Sequence, residues 1–156
     1  MIRPAGRQDV PFLRDMLRHA YYWRAGSVAA SGEPPLRRYV ERWGRPGDSG
    51  LVAIDEFQPV GAAWYRLFRH DDPGYGFVDE ETPELSIAVV PSRRGRGIGA
   101  ELLEALLERA RAEGYDAISL SVEKDNPAVG LYERHSFRRV REDDGAYTMR
   151  AELSPN

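Results

Sequence analysis

The sequence predicts an α/β fold, a mixed central sheet flanked by helices, and three observations carry the prediction. Glu84-Leu-Ser-Ile-Ala-Val-Val90 alternates apolar with small residues, is rich in β-branched types and stops at Pro91, as a strand does. A basic, glycine-spaced turn follows and opens into a helix: Ile98, Leu102, Leu103, Leu106, Leu107 and Ala110 share one face, Glu101, Glu104, Glu108 and Arg111 the other, and Gly114 stands where a helix ends. A second strand, Ala117 to Val122, then leads through a turn into a short helix from Ala128 to His135 that starts near Pro127. Strands alternating with helices in this way put helices against a sheet.

The other elements complete the order. Met1-Ile-Arg-Pro4 reads as a short first strand, and Asp9 stands where it can cap a helix with Leu13, Met16, Leu17 and Ala20 on one stripe. Leu36, Tyr39, Val40 and Trp43 recur at helical spacing and signal a second helix. Between the two, Tyr21 to Gly32 is an aromatic cluster running into a loop of small residues. Strands are expected at residues 50–56 and 60–68, joined by a turn near Gln58-Pro59. A last pair, at 137–142 and 146–152, is joined by Asp144-Gly145, a strong hairpin signal. The predicted order is β-α-α-β-β-β-α-β-α-β-β, and 156 residues make one domain, 1–156.

Composition excludes several classes of function. The chain has no cysteine, hence no disulfide framework, no thiolate metal site and no acyl-cysteine chemistry. No Gly-x-Ser-x-Gly elbow is present, which argues against a serine hydrolase. His19, His70 and His135 lack metal-ligand spacing, so no metal is expected. A formal charge of −3 is not the footprint of a nucleic-acid binder. Arg3, Arg7, Asp9, Arg14, Asp15 and Arg18 interrupt any signal-peptide core, and no stretch nears the roughly 20 apolar residues that span a membrane. A cytoplasmic protein with no membrane partner is expected.

The turn Arg94-Gly95-Arg96-Gly97-Ile98-Gly99 carries the chemistry. The first N–H groups of a helix lack internal partners and sit at the positive end of its dipole, and glycines there let a phosphate come close. A P-loop would need a lysine and a hydroxyl residue that this turn lacks, and a dinucleotide fold a different glycine spacing with an acidic ribose ligand. The turn instead resembles the Arg/Gln-x-x-Gly-x-Gly/Ala pyrophosphate loop of the GNAT superfamily of N-acetyltransferases. Asn126-Pro-Ala-Val-Gly-Leu-Tyr132-Glu-Arg-His-Ser-Phe137 resembles the second signature of that family, an asparagine after the fifth strand and a Leu-Tyr-Glu-x-x-Gly-Phe-like helix end. The close likeness covers residues 84 to 140. Ser136 departs from it, standing where the family usually has glycine, and serine enters the left-handed backbone of a helix cap less readily.

The resemblance implies the α/β fold of that family and acetyl-coenzyme A as co-substrate. It implies that Arg94, Gly95, Arg96, Gly97, Ile98, Gly99 and Ala100 hold the pyrophosphate, and that Asn126 hydrogen-bonds the pantetheine arm. It also implies a backbone N–H around Ala88, Val89 and Val90, where the family's fourth strand bulges from its neighbour, that stabilises the oxyanion. The side chains of Arg93, Arg94 and Arg96 are read as adding positive charge beside the turn. Tyr132 stands where the family has the acid that protonates the leaving thiolate; a phenol with its ordinary pKa near 10 is protonated at neutral pH and can donate untuned. Glu84 stands where many relatives carry the base that takes a proton from the amine acceptor, and reads equally as a residue that only begins a strand and faces solvent.

Asp71 to Pro83 holds five acidic residues and no basic one, and reads either as a solvated loop or as a rim that steers a cationic amine. Trp23 and Tyr75, outside the predicted helices and strands, are the candidate acceptor contacts. Two functions follow from these readings. One is an N-acetyltransferase passing acetyl directly to a primary amine of a small molecule or peptide; the other is a non-catalytic acyl-coenzyme A binding module of the same fold. Tyr132 and Glu84 favour the enzyme, because a binder needs neither. Assembly as a homodimer stays open.

Overall fold

The periodicities of the chain become seven strands and four α-helices in a computed structural model, which describes residues 1–21, 34–143 and 145–153. In chain order these are β1 (Ile2–Pro4), α1 (Val10–Tyr21), α2 (Pro34–Arg37), β2 (Ser49–Asp55), β3 (Gln58–Arg66), β4 (Glu84–Val89), α3 (Ile98–Ala112), β5 (Ala117–Glu123), α4 (Ala128–Arg134), β6 (Arg138–Glu142) and β7 (Ala146–Glu152). The order is the one the sequence predicts. The strands form a mixed sheet in the order β1-β2-β3-β4-β5-β7-β6. Its parallel pair, β4 with β5, has the register Glu84↔Ser119, whereas β1–β2, β2–β3, β5–β7 and β6–β7 are antiparallel.

Two compact units make up the chain, one of Met1–Tyr65 with Ser86–Leu106, the other of Arg66–Leu85 with Leu107–Asn156. In the first, the stripe Leu13, Met16 and Leu17 of α1 is fully buried, as are Val52, Ala62, Trp64, Leu102 and Leu103. Arg3 of β1 holds the Asp9 carboxylate at 2.7 and 2.9 Å, and that carboxylate also takes the Gly6 N–H at 2.8 Å. Asp9 therefore reaches back across the short 3-10 turn Arg7–Asp9 rather than forward into α1, and the Arg3 hydrogen bond holds it below the usual carboxylate range. In the second unit, Ile118, Leu120, Phe137, Met149 and Ala151 form the core, drawn from the inward faces of β5 and β7 and from the end of α4.

Two expectations need correction. The second helix, expected through Leu36, Tyr39, Val40 and Trp43, closes after one turn, although all four side chains are buried as their spacing requires. The Trp64 indole N–H donates to the Tyr39 carbonyl at 3.0 Å, taking the acceptor that a continuing helix would use, and Arg42 and Gly44 turn left-handed at φ +53° and +111°. The turn expected near Gln58-Pro59 lies instead at Glu56–Phe57, with φ +53° and +67°, while Pro59 is inside β3 opposite Ile54, next to a bulge between Ala53 and Ile54. A bulge is one of the few sheet positions that tolerate proline.

Candidate active site

The turn that precedes α3 is built in two stages. Pro91–Arg93 forms one 3-10 turn, with the Arg93 and Arg94 N–H groups donating to the Val90 and Pro91 carbonyls at 3.0 and 3.3 Å. The chain then crosses Gly95 and Gly97, both left-handed at φ +81° and +82°, and α3 starts at Ile98. A Cβ at either glycine would meet nothing within 4 Å. The turn is thus open on the side-chain side of both glycines, just ahead of a 15-residue helix whose first N–H groups lack internal partners. Beside it β3 runs close to β4: a Cβ on Gly61 would lie 3.1 Å from the Ala88 carbonyl, and the Val90 N–H donates to the Val60 carbonyl at 2.8 Å.

The three arginines of the turn differ in what they do. Arg93 gives its Nε to Asp55 Oδ2 at 2.9 Å and its Nη2 to Glu56 Oε1 at 3.4 Å. Its charge is met by the protein's own carboxylates. Arg94 points its Nε at the Val89 carbonyl, 3.4 Å away, and Arg96 lines a cavity of about 280 Å³ with Met1, Asp55, Val60, Ile98 and Glu101. The charge of Arg94 also reaches His19 on α1, whose pKa is lowered first by burial and then by Arg94 and Arg18.

Glu84 opens β4 and is only 2% exposed. Its Oε2 accepts the Gly76 N–H at 3.0 Å, and the Gly76 carbonyl accepts the Ser119 hydroxyl of β5 at 2.8 Å. The residues on either side of Gly76 are tied as well, since Arg141 of β6 donates Nη2 to the Tyr75 carbonyl at 3.3 Å and Nη1 to the Phe77 carbonyl at 3.1 Å. Tyr75-Gly76-Phe77 is consequently a strap whose backbone is held from both sides. The stretch 71–83 is more than a solvated loop, for Gly74, Gly76, Thr82 and Pro83 are buried. Two of its acids serve the loop itself: Asp79 Oδ1 accepts the Glu81 N–H, and Glu80 Oε2 the His70 N–H, each at 2.9 Å. Tyr75 is 46% exposed, so the strap presents that ring outward. Ser86, farther along β4, is buried, and its Oγ has no hydrogen-bond partner among the described residues.

Asn126 precedes α4 and Tyr132 lies in its last turn. Asn126 Oδ1 accepts the Ala128 N–H at 2.9 Å and so fixes the start of the helix with one side-chain atom, its NH2 group taking no part in that bond. At the other end the Phe137 N–H donates to the Tyr132 carbonyl at 3.1 Å and the Ser136 N–H to the Glu133 carbonyl at 3.2 Å, with Ser136 left-handed at φ +71°. These are the two bonds of a Schellman motif, and the expected left-handed cap is present with serine in it. The Tyr132 and Phe137 rings meet edge to face at 5.7 Å. The motif holds Tyr132 by both its carbonyl and its ring. Tyr132 is buried, and burial raises the pKa of its phenol well above the ordinary value, which keeps it protonated.

Of the remaining sequence candidates, Trp23 lies outside the described residues. Among the described residues no three histidines, aspartates or glutamates gather as a metal site. His135 instead meets the Leu131 carbonyl through Nδ1 at 2.9 Å, and His70 packs edge-on against Phe77. No described helix is long and apolar enough to cross a membrane. Sequence reasoning missed Ser119, Arg141 and the strap they hold. The one local hint was Gly74 and Gly76 within an acidic stretch, and nothing nearby in sequence points to Arg141.

Known proteins define the class to which this chain belongs. The family model described as acetyltransferase (GNAT) family matches residues 11–137, and the chain belongs to that family. It is an acetyl-coenzyme A-dependent N-acetyltransferase. A curated relative from Pseudomonas aeruginosa, L-methionine sulfoximine/L-methionine sulfone acetyltransferase, is 34% identical over 143 residues, covering 87% of this chain and 78% of its own. Ribosomal-protein-alanine N-acetyltransferase from Brucella melitensis superposes with a TM-score of 0.69 at 30% identity, covering 98% of this chain and 99% of its own. A structure from Salmonella typhimurium that holds its cofactor acetyl-coenzyme A shares the fold, with a TM-score of 0.74 at 24% identity over all of this chain and 95% of the other.

Proposed function

We propose that the chain acetylates the primary amine of a small, amino-acid-like molecule, passing acetyl directly from acetyl-coenzyme A. The observation that carries this reading is the Glu84 carboxylate, buried under the Tyr75–Phe77 strap with one oxygen on the Gly76 N–H. An ammonium acceptor must lose a proton before its nitrogen can attack, and Glu84, directly or through a water, is the group we assign to take it. The strap supplies a wall beside that carboxylate, with the Tyr75 ring as its acceptor contact. The relative of 34% identity is named for acting on a small amino-acid derivative, which supports an acceptor of that size.

Acetyl-coenzyme A supplies an activated thioester to this site. The Arg94–Ala100 turn holds its pyrophosphate, and the Asn126 NH2 group its pantetheine arm. The Val90 N–H is spent on β3, and successive N–H groups of a strand point to opposite sides, so the Val89 N–H is the donor we assign to the acetyl oxygen as charge grows on it. Tyr132 Oη gives its proton to the departing sulfur, and the raised pKa keeps that proton in place through neutral and mildly alkaline pH. The cytoplasm is the compartment that fits a consumer of acetyl-coenzyme A without a membrane-crossing helix among its described residues.

The test is thiol release from acetyl-coenzyme A with a panel of amino acids, polyamines, aminoglycosides and peptides. Tyr132→Phe should keep most of the cofactor affinity and lose turnover by roughly 10²–10⁴-fold. Glu84→Gln should be slowest relative to the parent at neutral pH and recover as alkali deprotonates the amine. Turnover only with peptides would overturn the small-acceptor reading, and an unchanged pH–rate profile in Glu84→Gln would remove Glu84 as the base.

A further inference from the structure

The β2–β3 turn has a backbone that its residues do not favour. Glu56 and Phe57 are both left-handed, where glycine or asparagine is usual, so the turn carries backbone strain at two successive residues. Phe57 is fully exposed, so no packing of its ring offsets that strain. The turn's two carboxylates do have a partner. Asp55 and Glu56 converge on one guanidinium, that of Arg93, whose side chain is 23% exposed. Arg93 closes the 3-10 turn that hands the chain to Arg94, Gly95, Arg96 and Gly97. Two left-handed glycines with open space around them make that stretch one of high conformational freedom, which a ligand must freeze.

We infer that Arg93 is a positioning residue for coenzyme binding: it braces the near end of the glycine turn on the β2–β3 hairpin and brings no charge to the pyrophosphate. The inference rests on the reading of residues 94–100 as the pyrophosphate site. It makes affinity for an anionic ligand depend on two carboxylates, Asp55 and Glu56, that would by themselves repel it. A guanidinium already matched to a carboxylate at 2.9 Å, with a second at 3.4 Å, is satisfied where it stands.

The experiment is titration of coenzyme A into the full-length parent and into Asp55→Asn, Arg93→Met, Arg93→Lys and the Asp55→Asn/Arg93→Met double variant, each checked by melting. Asp55→Asn should weaken coenzyme A about three- to tenfold, although it removes a negative charge near an anion. Arg93→Met should weaken it equally, Arg93→Lys nearly as much because the fork is lost, and the double variant no further than either single change. The KM for acetyl-coenzyme A should rise in step while kcat stays within about twofold. The dependence of Kd on salt should match that of the parent, since no ion pair to phosphate is lost.

Tighter or unchanged binding in Asp55→Asn, with weaker and less salt-sensitive binding in Arg93→Met, would make Arg93 a phosphate ligand and overturn the proposal. Parental affinity in all of the variants would overturn it too. Gly97→Glu serves as the control on the site itself: if it binds coenzyme A normally, the reading of the turn has failed, not the brace.

Discussion

Two glycine-bearing loops of this enzyme use the same residue for opposite purposes. At Gly95 and Gly97 the missing side chain leaves space, with nothing within 4 Å of where a Cβ would stand. At Gly76 the missing side chain is replaced by protein, since a Cβ there would lie 2.5 Å from the Leu120 carbonyl carbon and 2.7 Å from the Ser121 nitrogen. The backbone angles divide in the same way. Gly95 and Gly97 need φ values that other residues rarely adopt, whereas Gly76 is absent from the positive-φ positions and is needed only for its size. The contrast teaches that a glycine does not by itself say why it is there; the surroundings decide between open space and a packed β-strand.

The largest change expected from breaking this contrast comes from filling the open loop. Gly97→Glu puts bulk and a like charge where we propose that the pyrophosphate approaches, and should remove the rise in melting temperature expected of the parent with saturating acetyl-coenzyme A. Without ligand, the variant should melt only about 2–4 °C lower, the cost of one strained residue of roughly 1 kcal/mol. Gly76→Ala should do the reverse. It drives a methyl group into the β5 backbone and should cost about 1–3 kcal/mol by urea unfolding, raise the acceptor KM and leave the Kd for coenzyme A near the parental value. Parental stability in Gly76→Ala would mean that the strap moves freely and that its bonds to Glu84, Ser119 and Arg141 do little. The smallest effect is expected at Ser136, where φ is +71° and the side chain is present. Ser136→Gly should stabilise the protein by about 0.5–1 kcal/mol with kcat unchanged, separating the cost of the angle from the question of space.

The legibility of these features in the sequence follows their range. The strand, open turn and helix from Glu84 to Ala112 could be read directly, because each is set by neighbours a few residues away: alternation, glycine, then an apolar stripe. The same holds for the Schellman cap around Ser136. The second helix could not be read, because the indole that takes the Tyr39 carbonyl belongs to Trp64, 25 residues on. Phe77 and Arg141 are 64 residues apart, so the strap has no local signature. The partners of Arg93 are hidden for a related reason: the two carboxylates it meets come from the β2–β3 hairpin, 37 and 38 residues earlier.

Strand β6 carries a consequence for how this chain behaves in a crowd. It ends the strand order, and all five of its residues are exposed. A terminal strand offers unpaired N–H and C=O groups to any passing extended peptide, which is how sheets grow from one molecule to the next. Here Arg138, Arg139 and Arg141 line that strand, and the register against β7 slips between Arg139 and Arg141. A visiting strand would have to bury positive charge and follow a kinked ladder, two recognised deterrents to edge-to-edge aggregation. With Arg141 engaged on the Tyr75 and Phe77 carbonyls, it is Arg138 and Arg139 that oppose fibril-like stacking, an effect that would surface only at high concentration or during folding.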